Sequence, residues 1–272
     1  MPITVKTFAT LSEAASALQS DRGARFLAGG TLVMRAINEG DTSFSTVVRS
    51  TDRAFAEIRP AGARVTLGAG VTMAQVVANG ELSFLHSVAR SVGGPAIRNM
   101  ATVGGNLFAP SPYGDFTVAL LALDATMAMQ GGYSGRETPL EEFLANRERN
   151  SGLVASVTFN RPNPDAFRFR KVSRVKPKGI SVLSIATHLP MNGGRIAGAR
   201  VAYGAMAPAP MRAKPVERAL EGRALDEAGI AAAVTVAAEG TSPPTDALAS
   251  AWYRREMVAV HLKRLLGGTG SP

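Results

Sequence analysis

Two glycine pairs are the features of this sequence whose residue types and spacing best suit ligand binding. One pair lies in residues 28–32 (Ala-Gly-Gly-Thr-Leu) and the other in residues 101–106 (Ala-Thr-Val-Gly-Gly-Asn). Glycine tolerates positive φ and has no Cβ, so its backbone N–H groups can approach an anion closely. Thr31 and Thr102 would add hydroxyl donors and Asn106 an amide. Either pair alone is equally consistent with a tight turn, whereas both together could clamp the two phosphates of a dinucleotide.

Neither of the common nucleotide-binding templates fits the chain. The nearest approach to Gly-x-Gly-x-x-Gly occupies residues 68–73, and its last position is Met73 instead of glycine. The Gly-Lys dipeptide that a P-loop requires does not occur. A bound dinucleotide would therefore occupy a site of another kind.

The composition excludes several classes of function. The 272 residues include no cysteine, which excludes disulfides, cysteine nucleophiles and an iron–sulfur cluster held by this chain. Redox chemistry would therefore need a bound organic cofactor or a partner protein. The 30 Lys and Arg against 21 Asp and Glu give a net charge of +9, yet only 6% of residues are aromatic and no nucleic-acid motif occurs. We expect an anionic cofactor or an acidic partner, and no nucleic acid.

The distribution of apolar residues bears on the cellular location of the protein. No apolar run approaches the roughly 20 residues needed to cross a bilayer, so no membrane span is expected. The N-terminal residues lack the charged start and the long apolar stretch of a signal peptide. We therefore expect a cytoplasmic location, unless the chain is exported as a passenger on another subunit.

Local patterns predict the elements that position the two glycine pairs. The second pair lies in residues 93–112, a stretch rich in glycine and proline that predicts a long structured loop. A strongly apolar helix over 115–123 is expected after it. The first pair lies in a compact β–loop–α–β unit with a preceding helix: helix 11–20, strand 25–28, helix 32–39 and strand 46–49.

Prolines at positions 162 and 164 predict a division of the chain into residues 1–162 and 163–272. Three strands followed by helices are typical of a small α+β domain, here with a three-stranded antiparallel sheet. The patterns place these elements at strands 166–172, 182–189 and 195–203 and at a long final helix over 246–266.

The residues that flank both glycine pairs resemble one known family. Residues 26–32 (Phe-Leu-Ala-Gly-Gly-Thr-Leu) resemble the first flavin-binding loop of the FAD-binding subunits of molybdenum hydroxylases. That family includes the medium subunits of aerobic carbon monoxide dehydrogenase and the FAD domain of xanthine dehydrogenase. Its most diagnostic motif is similar to residues 97–107 (Ile-Arg-Asn-Met-Ala-Thr-Val-Gly-Gly-Asn-Leu). Similar stretches follow in the family's order at residues 111–115, 119–125, 169–174 and 204–208.

The resemblance implies a particular α+β fold. A two-lobed FAD-binding domain of the vanillyl-alcohol-oxidase/PCMH type would occupy residues 1–162, with lobes of about 1–55 and 56–162. A small C-terminal domain of the carbon monoxide dehydrogenase flavoprotein type would follow over 163–272.

The resemblance also implies which residues bind FAD. Asp115 matches an acidic FAD-binding residue that would accept hydrogen bonds from ribose hydroxyls, although Asp115 also suits a helix N-terminus. Lys171 matches a lysine near the flavin, where a positive charge would favour the anionic reduced ring or a phosphate. Val154 aligns with an apolar FAD contact, for which core packing is an equal alternative. The residues assigned to the phosphates and adjoining groups are Leu27, Ala28, Gly29, Gly30, Thr31, Leu32, Thr102, Gly104, Gly105 and Asn106.

One stretch departs from the family pattern. Residues 175–180 read Val-Lys-Pro-Lys-Gly-Ile, with lysines and an apparent extra residue where relatives carry glycine or acidic residues. Ile180 is the candidate for covering the face of the flavin ring. Six basic residues and no acid lie between Arg168 and Lys178. They predict a solvated loop face or, alternatively, a docking edge for a partner or an anionic acceptor.

The resemblance implies electron transfer as the function. A molybdopterin-binding large subunit would oxidise the substrate, and a small subunit with 2Fe–2S clusters would carry electrons to the FAD of this chain, in a dimer of heterotrimers. The FAD would pass them to an external acceptor, such as NAD, oxygen or a quinone. Two alternatives stay open at this point: a self-contained FAD-dependent oxidase and a nonredox nucleotide-binding or scaffold module.

Overall fold

The N-terminal lobe is a parallel sheet with two short helices. The structure is a computed structural model that describes residues 2–131, 137–147, 152–175 and 179–268. The strand order is β1-β3-β2, and both strand pairs are parallel. The elements of this lobe are β1 (Thr4–Phe8), α1 (Leu11–Ser20), β2 (Ala24–Phe26), α2 (Val33–Asn38) and β3 (Thr46–Ser50).

Helix α1 begins where the sequence predicts it. The Thr10 hydroxyl accepts a hydrogen bond from the Glu13 backbone N–H, and the Glu13 carboxylate accepts one from the Thr10 N–H, which makes a complete capping box. The unit β2–α2–β3 is the predicted β–loop–α–β arrangement, so the first glycine pair lies between a strand and a helix.

The second lobe is an antiparallel five-stranded sheet covered by helices. Its strand order is β4-β5-β8-β6-β7. The strands are β4 (Ile58–Ala61), β5 (Arg64–Gly68), β6 (Thr126–Gln130), β7 (Glu137–Pro139) and β8 (Leu153–Asn160). The helices are α3 (Met73–Ala78), α4 (His86–Ser91), α5 (Pro95–Met100), α6 (Val103–Leu107), α7 (Asp115–Ala122) and α8 (Leu140–Asn146).

The prediction of a loop over residues 93–112 is wrong in part, because α5 and α6 lie within it. Pro95 occupies the start of α5, where proline has no N–H to lose and its fixed φ suits the helix. Thr102 caps α6 by accepting a hydrogen bond from the Gly105 N–H at 3.1 Å. The second glycine pair therefore lies in the first turn of a helix.

The C-terminal part is an antiparallel sheet packed on helices. The sheet has the order β14-β13-β10-β9, and a separate two-stranded hairpin pairs β11 with β12. The strands are β9 (Phe167–Ser173), β10 (Ser181–His188), β11 (Met191–Asn192), β12 (Arg195–Ile196), β13 (Arg200–Gly204) and β14 (Met211–Arg212). The helices are α9 (Lys214–Leu220), α10 (Glu227–Thr235) and α11 (Ala251–Leu266).

Two details of the C-terminal prediction need correction. The sheet has four strands instead of three, since the two-residue strand β14 adds an edge beside β13. The predicted strand over 195–203 is two strands, β12 and β13, separated at Gly198, whose φ of +84° turns the chain.

The final helix begins at Ala251 instead of residue 246. The Asp246 carboxylate accepts hydrogen bonds from the N–H groups of Leu248 and Ala249, which forms a turn that competes with the helix. Ser250 then caps α11 by accepting a hydrogen bond from Tyr253.

Side chains of both lobes share one apolar core, and a second core lies between the C-terminal sheet and its helices. Helix α7 is buried along its whole length and packs against β10 and β13, so it joins the two cores. This helix therefore helps to fix the second lobe to the C-terminal sheet.

Arg254 on α11 is fully buried and binds the loop before its own helix. Its guanidinium donates to the backbone oxygens of Val182, Pro244 and Ala249, and it forms an ion pair with Asp246 at 2.9 Å. A buried guanidinium is tolerated only when its donors are satisfied, and here four groups satisfy them.

Replacing Arg254 with leucine should therefore destabilise the C-terminal part. The change leaves buried carbonyl oxygens and a carboxylate without their donor, and we expect a loss of about 3 kcal/mol in the free energy of unfolding. Urea unfolding measures it, with the adjacent exposed Arg255→Leu as the matched control. Equal unfolding midpoints for the two variants would contradict this role of Arg254.

Candidate functional site

A cleft with a volume of about 810 Å³ opens between the two lobes. Phe26 at the end of β2 and Phe55 form one apolar wall, with ring centroids 5.5 Å apart in an edge-to-face arrangement. Phe44 and Val154 continue the lining. The first glycine loop and the start of α6 lie on the same cleft, so the structure brings the two glycine pairs together.

The first glycine loop presents unused hydrogen-bond donors to this cleft. The carbonyl oxygens of Gly30 and Leu32 accept hydrogen bonds from the first turns of α2. Across the described ranges, the backbone N–H groups of residues 29–32 have no acceptor in the protein. Gly30 has a φ of +75°, which glycine adopts at no steric cost. A run of free N–H groups on a cleft suits an anion such as a diphosphate, so the donor set fits the phosphates of a dinucleotide.

Gly29 is required by the packing of the two loops against each other. A Cβ on Gly29 would lie 1.6 Å from the Met100 carbonyl oxygen and 3.2 Å from the Thr102 methyl group. No side-chain rotation relieves a clash with a backbone oxygen. The absence of a Cβ at this position therefore allows residues 28–32 to contact the segment that leads into α6.

The second glycine loop supplies fewer donors than its sequence predicts. The N–H of Val103 donates to Val71, that of Gly104 to Ala69 at 2.7 Å, and that of Gly105 to the Thr102 hydroxyl. These N–H groups are therefore already paired within the protein. What this loop offers to the cleft is the Thr102 hydroxyl proton and the bare backbone surface of Gly105.

Gly104 and Gly105 differ in what surrounds them. A Cβ on Gly104 would lie 2.7 Å from the Ala69 methyl group, so this glycine serves packing against the strand end. A Cβ on Gly105 would meet only the Thr102 hydroxyl, at 3.0 Å, and Gly105 lines the cleft. Gly105 is thus the glycine of this pair that leaves room for a ligand.

Asn106 does not line the cleft and instead ties α6 to α7. Its side-chain oxygen accepts hydrogen bonds from the Thr117 N–H at 2.9 Å and the Thr117 hydroxyl at 3.1 Å. Its backbone oxygen accepts a further bond from that hydroxyl. Thr117 is fully buried. Asn106 therefore holds the second loop in place relative to the helix that contacts the C-terminal sheet.

The buried Asp115 and the partly buried Lys171 form an ion pair away from the cleft lining. The Lys171 Nζ lies 2.9 Å from the Asp115 carboxylate and also donates to the Ser91 backbone oxygen at 2.9 Å. The buried Ser181 hydroxyl donates to the same carboxylate at 2.7 Å. Because Asp115 neutralises Lys171, the positive charge that the resemblance implies near the flavin is half of a neutral pair, which joins α7 to β9 and β10.

The remaining predicted site residues are divided between the cleft and other places. Ala28, Thr31, Leu32 and Val154 line the cleft, and Val154 is 4% exposed, so it contacts both cleft and core. The Leu27 N–H donates to Val48 in the sheet, and this residue is not part of the lining. Ile180 is 38% exposed and lies outside the cleft.

Among the described residues of the stretch 168–178, the basic side chains of Arg168, Arg170 and Lys171 are directed at the protein itself. Arg168 donates to the backbone oxygens of Leu265 and Leu266 and so binds the C-terminal end of α11. Arg170 Nε donates to His261 Nδ1 at 3.2 Å, and Lys171 is paired as described. Lys176 and Lys178 lie outside the described residues. These three side chains therefore do not contribute to a solvated face, whereas Arg174 is exposed, and the choice between a solvated face and a docking edge stays a prediction for the rest of the stretch.

Sequence reasoning missed the aromatic wall of the cleft. Phe26, Phe44 and Phe55 are far apart in sequence, and nothing in their local pattern separates them from ordinary core residues. One signal was present in the rejected Gly-x-Gly at residues 68–70. A Cβ on Gly68 would lie 2.4 Å from the Phe55 carbonyl oxygen, and one on Gly70 would lie 2.3 Å from the Phe55 ring. Those glycines allow Phe55 to pack at the cleft.

Charged residues line one end of the cleft. The Arg25 guanidinium lies 5.7 Å from the centre of the Phe44 ring, within the range of a cation–π contact. The Ser43 N–H donates to the Asp41 carboxylate at 2.8 Å, and this hydrogen bond lowers the pKa of Asp41.

Within the described part of the chain, no group of three or more His, Cys, Asp or Glu side chains is arranged to hold a metal ion. The described helices also include none that is long and apolar enough to cross a membrane.

The two-lobed fold and its cleft suit a protein that binds a dinucleotide. The family model for the "FAD binding domain in molybdopterin dehydrogenase" matches residues 2–159, and that for the "CO dehydrogenase flavoprotein C-terminal domain" matches residues 168–269. The chain therefore belongs to the FAD-binding medium subunits of the xanthine and carbon monoxide dehydrogenase family, which are flavoprotein oxidoreductase subunits.

Individual relatives agree with this assignment. The glyceraldehyde dehydrogenase medium chain of Sulfolobus acidocaldarius is 28% identical over 206 residues, which cover 72% of each chain. The xanthine dehydrogenase FAD-binding subunit of Escherichia coli O157:H7 is 24% identical over 273 residues, covering 95% of this chain and 92% of the relative. A chain of reconstituted CO dehydrogenase from Oligotropha carboxidovorans has the same fold, with a TM-score of 0.89, 23% identity and 98% coverage of both chains.

Adding a methyl group at Gly29 should separate the two loops. We expect Gly29→Ala to lower the free energy of unfolding by at least about 2 kcal/mol, because the new Cβ overlaps the Met100 carbonyl oxygen. Gly80→Ala is the matched control, since a Cβ there meets nothing within 4 Å. Thermal unfolding compares the two variants, and a Gly29→Ala protein as stable as the control would refute the contact.

His261 should remain neutral well below its ordinary pKa. Burial, with the cations Arg170 and Arg264 nearby, lowers the pKa of His261 from 6.5 to about 4. His261 of the unfolded chain binds a proton near pH 6.5, whereas His261 of the folded chain stays neutral until the pH approaches 4. The contribution of His261 to stability is therefore complete above pH 6.5 and is lost as the pH falls toward 4.

Unfolding of the wild type and of His261→Gln at about pH 7 and about pH 5 tests this sign. The wild type should lose more stability than the variant on acidification, and an NMR titration should show the low pKa directly. Equal losses of stability in the wild type and the variant would contradict the lowered pKa of His261.

Proposed function

We propose that this chain is the FAD-carrying electron-transfer subunit of a multi-subunit molybdenum hydroxylase. The observation that carries the proposal is the run of unpaired N–H groups at residues 29–32 on a cleft whose size and lining suit a dinucleotide. The membership of the chain in the FAD-binding family supports FAD as that dinucleotide. FAD, when bound, supplies the storage of two electrons and their release to an acceptor.

The residues of this chain would hold, orient and shield the cofactor. The N–H groups of residues 29–32 bind its phosphates, and the Thr102 hydroxyl adds a donor from the second loop. Phe26, Phe55 and Val154 keep water from the apolar side of the cleft. Low solvent access strengthens each hydrogen bond to the phosphates, because water no longer competes for the donors.

The other predicted site residues keep defined places in this proposal. Asp115 and Lys171 hold the junction between α7 and the C-terminal sheet, next to which we place the flavin ring. Their pair carries no net charge. The Lys171 ammonium has three N–H donors, of which one bonds to Asp115 and one to Ser91, so one donor remains to bond to the flavin ring. Ile180 immediately precedes β10, whose first residue Ser181 bonds to Asp115, and is proposed to cover the ring.

The names of the relatives support a multi-subunit assembly. Their names describe medium chains and FAD-binding subunits of dehydrogenases. We propose that a molybdopterin-binding large subunit and a small subunit with 2Fe–2S clusters bind this chain in a dimer of heterotrimers in the cytoplasm. Within the chain, residues 1–162 are proposed to hold FAD and residues 163–272 to form the second domain. Electrons would enter from the 2Fe–2S subunit and leave to an external acceptor.

Filling the cleft at Gly105 tests the cofactor site. Gly105→Val adds a side chain to the lining of the cleft, where its Cβ meets only the Thr102 hydroxyl, at 3.0 Å, so a ligand in the cleft loses space. We expect FAD affinity to fall at least about tenfold, which is about 1.4 kcal/mol. FAD titration followed by visible absorbance measures it, and Gly80→Val is the control because no atom within 4 Å meets a Cβ there.

Three results would speak against the proposal. A purified chain that retains no flavin absorbance after it is mixed with FAD and the unbound FAD is removed would contradict FAD binding. Equal FAD affinities for the Gly105→Val and Gly80→Val variants would place FAD elsewhere. A native protein that turns over substrate alone, without molybdenum or iron, would be the self-contained oxidase instead.

A further inference from the structure

The side chain of Met34 lies beside the first glycine loop. Met34 belongs to the first turn of α2, and its backbone N–H donates to the Gly30 backbone oxygen at 2.8 Å. A Cβ on Gly30 would be 3.2 Å from the Met34 Cγ, the atom to which the thioether sulfur is bonded. The sulfur is therefore close to the loop whose N–H groups, at residues 29–32, have no acceptor among the described residues.

Met34 is also open to solvent. Its side chain is 45% exposed and is not part of the cleft lining. Among the methionines that the structure describes, the others with a large exposed fraction are Met100 (54%) and Met191 (49%), whereas Met73 and Met206 are fully buried. A small oxidant dissolved in water can therefore reach the Met34 sulfur without any opening of the fold.

Oxidation converts a methionine from an apolar side chain into a hydrogen-bond acceptor. Hydrogen peroxide transfers one oxygen atom to the thioether sulfur, its O–O bond breaks, and the second oxygen leaves as water. The sulfur loses two electrons and the peroxide gains them. The product, methionine sulfoxide, is polar, and its oxygen accepts hydrogen bonds from N–H groups.

Hydrogen peroxide is the product of one acceptor reaction that the proposed function includes. When two electrons and two protons pass from reduced FAD to oxygen, the products are oxidised FAD and hydrogen peroxide. The oxidant then forms on the same chain that carries Met34. An exposed thioether beside the cofactor loop is thus placed where this product is released.

We propose that Met34 is an oxidation site whose sulfoxide weakens the binding of FAD. This inference rests on the proposed function, in which the N–H groups of residues 29–32 bind the FAD phosphates. The sulfoxide oxygen is bonded to the sulfur beside Gly30 and accepts a hydrogen bond from the same N–H groups. FAD must displace this internal acceptor before its phosphates bind. Oxidation therefore releases the cofactor, and reduction of the sulfoxide restores the site.

A matched pair of methionine-to-leucine variants tests the proposal on the full chain. Leucine has nearly the volume of methionine and no sulfur. The wild type, Met34→Leu and Met191→Leu are each treated with hydrogen peroxide. Mass spectrometry of peptides locates the sulfoxides, and FAD titration followed by visible absorbance gives the affinity of each protein before and after treatment.

We expect oxidation to weaken FAD binding at least about tenfold in the wild type and in Met191→Leu, which is about 1.4 kcal/mol. The affinity of Met34→Leu should be the same before and after treatment, because the acceptor cannot form. Methionine sulfoxide reductase should restore the affinity of the oxidised wild type, since the sulfoxide is reversible.

The possible results separate this inference from the proposed function. Equal losses of affinity in Met34→Leu and the wild type would overturn it, because another oxidised residue, such as Met100, would then be responsible. A wild type that forms no sulfoxide at Met34, or that carries one and keeps its affinity, would overturn it as well. Failure of the untreated wild type to bind FAD would instead contradict the proposed function itself.

Discussion

The contact between Gly29 and the Met100 carbonyl oxygen is the constraint on which the site depends. It brings a loop of the parallel sheet against the segment that begins α6, and any Cβ would prevent that approach. The two loops in contact form part of the cleft lining. Among the described residues, the N–H groups of residues 29–32 have no acceptor and are available to a ligand in the cleft. Gly29 is thus required for the packing of the two loops, and the ligand site depends on that packing. Backbone geometry, more than any charged side chain, creates the candidate phosphate site.

Polar contacts extend from this site to the C-terminal sheet. Thr102 caps α6, Asn106 joins α6 to Thr117 on α7, and the buried Asp115–Lys171 pair joins α7 to the sheet. Every link is either buried or part-buried, so loss of one partner leaves an unsatisfied group. The position of the second loop is therefore coupled to the packing of the C-terminal part. This coupling explains why residues outside the cleft belong to the same functional unit as residues within it.

Sequence reasoning reached the α+β fold class and the first glycine loop because both depend on local patterns. The capping box of α1 and the turn before α2 are set by neighbouring residues. The role of the second loop was not predictable, since its N–H groups are satisfied by Ala69 and Val71, whose proximity depends on the tertiary fold. The pairing of Lys171 with Asp115 is likewise a long-range contact, and it converts an expected charge into a neutral pair. Two helices lie within residues 93–112 because Pro95 occupies the first position of one and Thr102 caps the other. Proline and threonine are also common in loops, so the composition of this stretch did not indicate the helices.

The central claim is that the first loop donates its backbone N–H groups to the cofactor and the second does not. Amide hydrogen exchange, measured with and without FAD, tests it residue by residue. Exchange at residues 29–32 should slow strongly when FAD is added, because these amides gain acceptors that the protein does not provide. Exchange at Val103 and Gly104 should change little, since both amides are already bonded within the protein. Unchanged exchange at residues 29–32 in the FAD-bound protein would contradict the account.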